Sequence, residues 1–354
     1  MDFRRISNVI AITMMATLTV TVVGTGGAAN LCRNLVRCGV RRLRLVDFDT
    51  VEGVNIPRQE HLTDQIGMTK VAALAAELKR IDPTAVVETF ARDFTTFTDA
   101  EIDSHFGDTD VFVFGTDSFH AQARGNEVAL RLGKKAVWIG VYAAGRAGEI
   151  VFWHPGLECC YRCLCAARYA AFANGFQNPP SDSATILDVQ FIDSLAAMLV
   201  VGLLTMGADN RYGKLIEQLG DRNFLQVKID PAWNFLGKDV VKDELHIPDG
   251  TDAYFSFCTI ARRDPDNGTT PCPDCERFRG HRFVNFNGQV ARLKSGQPEP
   301  VPTCSEATAG THQVGSGAPH VDPITWLKAT AFAGPNGKTA SHPWAGMPYP
   351  VPYP

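Results

Sequence analysis

The sequence predicts an α/β chain built on a doubly wound, mostly parallel sheet. Three observations predict it. Short β-branched or apolar runs alternate with segments of helical periodicity from residue 17 to residue 150. The first of these runs ends in a glycine-rich loop, VVGTGGAAN, which leads into a helical pattern. Charged and amide side chains then gather just beyond the carboxyl end of the second run, where sheets of this kind hold their ligands.

Each element has its own justification. TLTVTVV (17–23) is β-branched and reads as the first strand, with a short helix before it. Residues 27–38 follow as a helix, and RLRLVDF (42–48) as a second strand. From Lys70 to Ile81 the apolar residues Val71, Leu74, Leu78 and Ile81 fall at helical spacing. AVVETF (85–90), DVFVFG (110–115) and AVWIGVY (136–142) read as further strands, with a helix over about 120–132 between the last two. Parallel strands joined this way cross over right-handed. After Gly156 the pattern changes to a cysteine-rich stretch, ECCYRCLC (158–165), and a loop over 173–184. A long apolar helix over about 186–206, a strand NFLQVKID (223–230) and a second cysteine pair in PCPDC (271–275) complete this part.

Composition bounds the function. Of the 354 residues, 45% are hydrophobic and 20% charged, enough for a large buried core. A net charge of −4 gives no bulk attraction to nucleic acid or to an anionic membrane. Arg4 and Arg5 before the apolar run 9–23 outline a signal peptide. Cleavage near Ala29 would destroy the glycine loop, however, and Thr13, Thr17, Thr19 and Thr21 interrupt the run. The run is too short to span a bilayer, and no other segment reads as long and apolar enough. The expectation is a cytoplasmic protein, whose clustered cysteines serve metal or redox chemistry rather than disulfides. Eleven of the 21 prolines fall in the last 59 residues, so 291–354 reads as an extended or disordered tail. Trp326, Trp344, Tyr349 and Tyr353 lie among these prolines, a pattern suited to docking.

The chemistry concentrates after the first two strands. Gly24, Gly26 and Gly27 let the backbone turn sharply and approach a phosphate at the start of the following helix. Asp47, about 20 residues past that loop, is placed to bond a ribose hydroxyl. Asp49, Asn55, Arg58, Gln59 and Lys70 follow in one stretch. A nicotinamide-dependent oxidoreductase has no use for Arg58 and Lys70 there, whereas nucleotidyl transfer needs cations on a triphosphate whose leaving pyrophosphate gains charge. Lys70 opens a helix, where the dipole disfavours a cation, so a phosphate partner is expected. Asp117 closes a later strand, in FGTDS, where a carboxylate can hold Mg²⁺ across phosphates.

Taken in order, G-x-G-G, L-V-D-x-D-x-V-E, N-x-x-R-Q, G-x-x-K and T-D, with C-Y-R-C and a late C-x-x-C, resemble the ThiF/MoeB/HesA family, which includes the adenylating domains of ubiquitin-activating enzymes. The resemblance covers roughly residues 18–280. It implies a Rossmann-like adenylation fold over 1–290, with a nucleotide-binding half over about 1–150 and a zinc- and partner-binding half over about 151–290. It implies ATP-dependent adenylation of a carboxylate, usually the C-terminus of a small ubiquitin-like or sulfur-carrier protein. Adenylation of a ribosomal peptide or of a carboxylate on a modified tRNA is the alternative within this chemistry. An inactive scaffold subunit is the alternative outside it, and retention of Asp47, Arg58, Lys70 and Asp117 speaks against that. By position, Asp47 would bind ribose, Asn55, Arg58, Gln59 and Lys70 the phosphates, and Asp117 Mg²⁺. The resemblance further implies a homodimer in which Arg4 or Arg5 reaches the neighbouring site, and a downstream conjugating enzyme as a further partner.

Cys160 and Cys163, with Cys272 and Cys275, form two C-x-x-C pairs about 110 residues apart, the composition of a closed Zn²⁺ site. Members of the family that pass the acyl group to a thiol carry a cysteine in the loop before the long helix. That loop here holds Ser181 and Ser183, which leaves Cys165 as the nearest thiol that could carry an acyl group.

Overall fold

The computed structural model describes residues 1–177, 184–230, 233, 256–260, 272–278, 283–286 and 289–292. A short helix α1 (Ile12–Met15) precedes β1 (Thr19–Val23), and α2 (Ala29–Arg37) returns the chain to β2 (Arg42–Val46). Then come α3 (Lys70–Ile81), β3 (Val86–Phe90), α4 (Asp99–Phe106), β4 (Val111–Phe114), α5 (Phe119–Leu132) and β5 (Lys135–Val141). The second part runs β6 (Ala147–Trp153), α6 (Tyr161–Leu164), α7 (Ala166–Ala173), α8 (Ile186–Leu204), α9 (Leu215–Leu219), β7 (Phe224–Lys228), β8 (Ser256–Ile260) and α10 (Pro273–Phe278). Strands β9 (Phe283–Phe286) and β10 (Gln289–Arg292) pair with each other as a separate antiparallel ribbon.

One eight-stranded sheet, in the order β3-β2-β1-β4-β5-β6-β7-β8, organises the rest. The first five strands in that order are parallel, and β6, β7 and β8 add antiparallel. The chain leaves β1 toward one edge and β4 toward the other, so the crevice beyond the carboxyl ends of β1 and β4 is a topological switch point. Both strands are buried along their whole length: VFVF is apolar throughout, and even Thr19 and Thr21 of TVTVV are buried.

Helix α3 begins and ends where the spacing of its apolar residues predicts. Helix α5 ends on Gly133, whose φ of +61° supplies the left-handed cap that glycine adopts without strain. Strand β6, AGEIVFW, was not expected from the sequence, because Glu149 interrupts a run that is otherwise apolar. The stretch between the strands read at 85–90 and 110–115, where the sequence predicts no element, contains α4, capped by Thr98 and Glu101 in a reciprocal box.

One expectation about membrane spans is corrected. Helix α8 is 19 residues long with a mean hydropathy of 1.9, long and apolar enough to cross a bilayer. It packs instead against α2, β5 and β6, and residues such as Ile192, Ala196, Val200 and Leu203 are fully buried there. A helix apolar on all sides is also what the interior of a layered α/β core requires. The proline-rich segment beyond residue 292, with Cys304, lies outside the described residues, as do Ser181 and Ser183.

Candidate active site

The glycine loop is built around two close approaches. Gly24 has φ +84°, and a Cβ there would lie 2.6 Å from the Gly115 carbonyl oxygen and 2.9 Å from Thr116 Cβ. A Cβ on Gly26 would lie 2.7 Å from Gln59 Oε1. The glycines therefore let the loop after β1 press against both the loop after β4 and the segment carrying Gln59. Part of the expected phosphate site is changed: the backbone N–H of Leu31, in the first turn of α2, donates to the buried carboxylate of Asp193 on α8 at 3.1 Å. A protein carboxylate takes one of the N-terminal donors that a phosphate would otherwise use.

Asp47 is buried at the end of β2 and accepts three hydrogen bonds: from Thr25 N at 2.7 Å, Thr25 Oγ1 at 3.0 Å and Asp49 N at 3.0 Å. An ionised carboxylate has about four acceptor positions, so capacity remains for a hydroxyl. Past Asp49 the chain closes a loop through the bridge Thr50–Thr69 and presents Lys70 at the start of α3. Lys70 Nζ lies 2.8 Å from Asp49 Oδ2, and its backbone N–H donates to the Asp49 carbonyl at 2.9 Å. Asn55 Oδ1 accepts from Glu52 N at 2.8 Å, which fixes the short turn before Arg58 and Gln59. Gln59 is 5% exposed, and its Oε1 has no hydrogen-bond partner among the described residues.

Arg33 on α2 secures this loop from below. It pairs with Glu60 and with Glu77, while Gln190 of α8 also reaches Glu60 and the Ile186 N–H donates to the Pro57 carbonyl at 3.3 Å. Asp117 faces the loop from the end of β4. Burial raises its pKa above the usual carboxylate range, and the nearby Asp49 charge raises it further, against opposing pulls from Lys70 and Arg58. All ten residues singled out for nucleotide binding (Gly24, Gly26, Gly27, Asp47, Asp49, Asn55, Arg58, Gln59, Lys70 and Asp117) line one cleft of about 230 Å³ at the switch point.

The cysteine pairs also meet. The sulfurs of Cys160, Cys163, Cys272 and Cys275 all lie within 4.8 Å of one another, and all four residues are buried. Three of the separations, Cys160–Cys163, Cys160–Cys272 and Cys163–Cys275, are 3.7 Å. That is far beyond a disulfide length. It matches the edge of about 3.8 Å in a tetrahedron whose metal–sulfur bonds are about 2.3 Å. The four thiols thus fit a tetrahedral metal ion.

Comparison with known families agrees with this architecture. The model of the ThiF family matches residues 11–217, more than half of the chain. The chain belongs to the ThiF family. Among curated relatives, ubiquitin-like modifier-activating enzyme 5 of Arabidopsis thaliana is 31% identical over 159 residues, covering 41% of this chain and 37% of that one. The enzyme of the same name from Dictyostelium discoideum is 32% identical over 160 residues, covering 42% and 41%. The ThiF chain therefore aligns with only about two fifths of the length of these relatives. The crystal structure of E. coli MccB with ATP is similar at a TM-score of 0.45 and 18% identity, over 54% of this chain and 57% of that one.

The cleft of this ThiF protein includes residues that sequence reasoning missed. Arg92, Asp93 and Phe94 line it from the end of β3, and Thr116 and Ser118 flank Asp117. The signal was available: ARDF follows the third parallel strand at its carboxyl end, as LVDFD follows the second. Cys165 is corrected. It is fully buried, and burial drives its thiol pKa far above the usual range, overriding the nearby Arg168. A thiol with no solvent exposure is poorly placed to meet an acyl adenylate.

Proposed function

We propose that the chain is an ATP-dependent adenylyltransferase that activates the C-terminal carboxylate of a small ubiquitin-like or sulfur-carrier protein. The observation that carries this reading is the convergence of Asp47, Arg58, Lys70 and Asp117 on a single cleft at the switch point. In this reading a carboxylate oxygen of the partner attacks the α-phosphorus of ATP. The new bond is O–Pα, the bond broken is that to the bridging oxygen of the β-phosphate, and pyrophosphate leaves. Asp47 holds the ribose. Arg58 and Lys70 meet the negative charge that grows on the departing pyrophosphate, with Gln59 and Asn55 shaping the loop that carries Arg58.

Asp49 and Asp117 suit a divalent cation. Burial and the nearby Asp49 charge raise the cost of ionising Asp117, and Mg²⁺ bound with the phosphates would relieve it. Lys70 pairs with Asp49 in the meantime and would exchange that partner for phosphate oxygens. The tetrahedral spacing of Cys160, Cys163, Cys272 and Cys275 supports zinc, which in a closed four-thiolate set contributes stability rather than chemistry. Thiols held for a metal suit a reducing, cytoplasmic setting. A homodimer, and transfer to a conjugating enzyme, complete the reading as the family resemblance suggests it.

ATP–pyrophosphate exchange tests the reaction. Exchange should appear on addition of a small ubiquitin-like protein with a free C-terminal glycine and should vanish when that glycine is amidated. Exchange that ignores the amidation would overturn the assignment of the carboxylate.

A further inference from the structure

We propose that the four-cysteine cluster positions the Asp117 loop of the cleft, and that Tyr161 and Gln122 are the positioning residues that carry this coupling. The proposal rests on the reading of the cleft as an ATP site only for its consequence, not for the coupling itself. Each C-x-x-C loop encloses one residue that reaches the same helix. Tyr161 lies between Cys160 and Cys163, and Asp274 between Cys272 and Cys275. The Tyr161 N–H donates to Asn126 Oδ1 at 3.1 Å, and Asn126 Nδ2 donates to Asp274 Oδ2 at 2.7 Å. Asn126 on α5 is thus held by both halves of the cluster at once, and its Nδ2 also lies 3.6 Å from Cys160 Sγ.

One turn nearer the start of α5, the Tyr161 hydroxyl donates to Gln122 Oε1 at 2.5 Å. Gln122 Nε2 donates in turn to the Thr116 carbonyl at 2.7 Å, the peptide group that leads into Asp117. Trp138 braces this path: its ring stacks on Tyr161 at 4.9 Å and 17°, and its Nε1 donates to the Gln122 carbonyl at 3.0 Å. Gln122, Asn126, Tyr161 and Asp274 are all at most 3% exposed. Water cannot replace a lost partner there, so disorder in the cysteine loops is passed on rather than absorbed. Thr116 and Asp117 sit in the loop between β4 and α5, with no other element interposed between Gln122 and that loop. A bound ion would fix the two C-x-x-C loops, and the hydrogen bonds that Tyr161 donates and Asp274 accepts would fix α5 and the Asp117 loop behind them.

The test uses the full chain and three variants. Tyr161→Phe removes the hydroxyl and keeps the stacked ring. Tyr169→Phe is the matched control, because its hydroxyl has no hydrogen-bond partner among the described residues while its ring packs on Arg162 at 4.6 Å. Gln122→Met breaks the same path from the other side and serves if Tyr161→Phe fails to fold. Amide hydrogen exchange is read in a peptide spanning 115–121 against one in β1, with metal content measured on every sample. Tyr161→Phe should keep the wild-type metal content, speed exchange at 115–121 while β1 stays protected, and weaken MgATP binding about tenfold. Tyr169→Phe should do none of this. Mild chelation of the wild-type protein should reproduce the local opening at 115–121. Equal protection at 115–121 in the two tyrosine variants, or opening of β1 and 115–121 only together on chelation, would overturn the coupling. Local opening without MgATP binding to any form would support the coupling and reject the ATP reading.

Discussion

Lys70 holds Asp49 twice, by its side-chain ammonium at 2.8 Å and by its backbone N–H to the Asp49 carbonyl at 2.9 Å. The backbone bond fixes where the side chain starts, and the side chain is only 8% exposed. The cation is therefore preorganised at the head of α3, in a position that the helix dipole disfavours. That placement makes sense if a polyanion is its working partner.

Lys70→Met should cut the rate of ATP–pyrophosphate exchange by about 10²–10³-fold, the usual consequence of removing one preorganised group that stabilises developing charge. Circular dichroism should show the fold retained. A variant with normal exchange would remove Lys70 from the site.

Asp117 gives a pH-dependent prediction. Its pKa is raised in the folded chain by burial and by Asp49. A raised carboxyl pKa adds stability that is complete below the unfolded value and lost as pH rises through the folded value. Asp117→Asn should therefore raise the melting temperature of the nucleotide-free protein at pH 7, with a gain that shrinks toward pH 4. The same variant should lose exchange activity. Equal melting temperatures across this range would contradict the burial argument.

His154 predicts the acid limb of stability. It is half-buried, and its pKa falls from 6.5 to about 4, first through desolvation and then through Lys135. Its Nδ1 accepts from the Gly156 N–H at 3.1 Å, which requires the neutral ring. A depressed histidine pKa stabilises the fold above the unfolded value, and the benefit is lost as pH falls from 6.5 to about 4. The contribution is roughly 3 kcal/mol at neutral pH. Denaturant titrations of the wild type and His154→Gln should differ in slope across that window and run parallel above pH 7.

Cys165 should behave as a core residue. A small alkylating reagent should leave it unlabelled in the native chain and label it after unfolding, while the half-buried Cys38 and Cys159 react first. Cys165→Ala should leave ATP–pyrophosphate exchange unchanged. Loss of a thiol-sensitive acyl adduct in that variant would restore Cys165 as an acyl carrier.

Metal removal should be costly. The four thiols close a tetrahedral set, so about one zinc per chain is expected. Cys160→Ser or Cys272→Ser should lose it and lower the melting temperature. A wild-type protein that is metal-free and equally stable would reject the site.

Much of the fold was legible because its strands are either fully buried or bounded by glycine and acidic residues, and because α3 and α5 carry clear helical spacing. The ten cleft residues were legible for a further reason: they follow strand ends, and the switch point brings strand ends together. Strand β6 was missed because Glu149 interrupts an otherwise apolar run. That glutamate is buried against Arg168 at 2.6 Å and Tyr142 at 2.5 Å, partners 19 and 7 residues away that periodicity does not reveal. The Arg33–Glu60–Glu77 tether and the Tyr161–Gln122 path were missed on the same ground. Each joins residues tens of positions apart, and nothing in local sequence marks such a pair.

The central claim is that the cleft of Arg58, Lys70 and Asp117 binds ATP. The most direct measurement is calorimetric titration of the wild type and Arg58→Ala, Lys70→Met and Asp117→Asn with MgATP and, separately, with NAD⁺. One MgATP per wild-type chain, at least tenfold weaker in each variant, with no heat from NAD⁺, is the predicted result. Binding of NAD⁺ in place of ATP, or MgATP bound equally well by all four proteins, would contradict it.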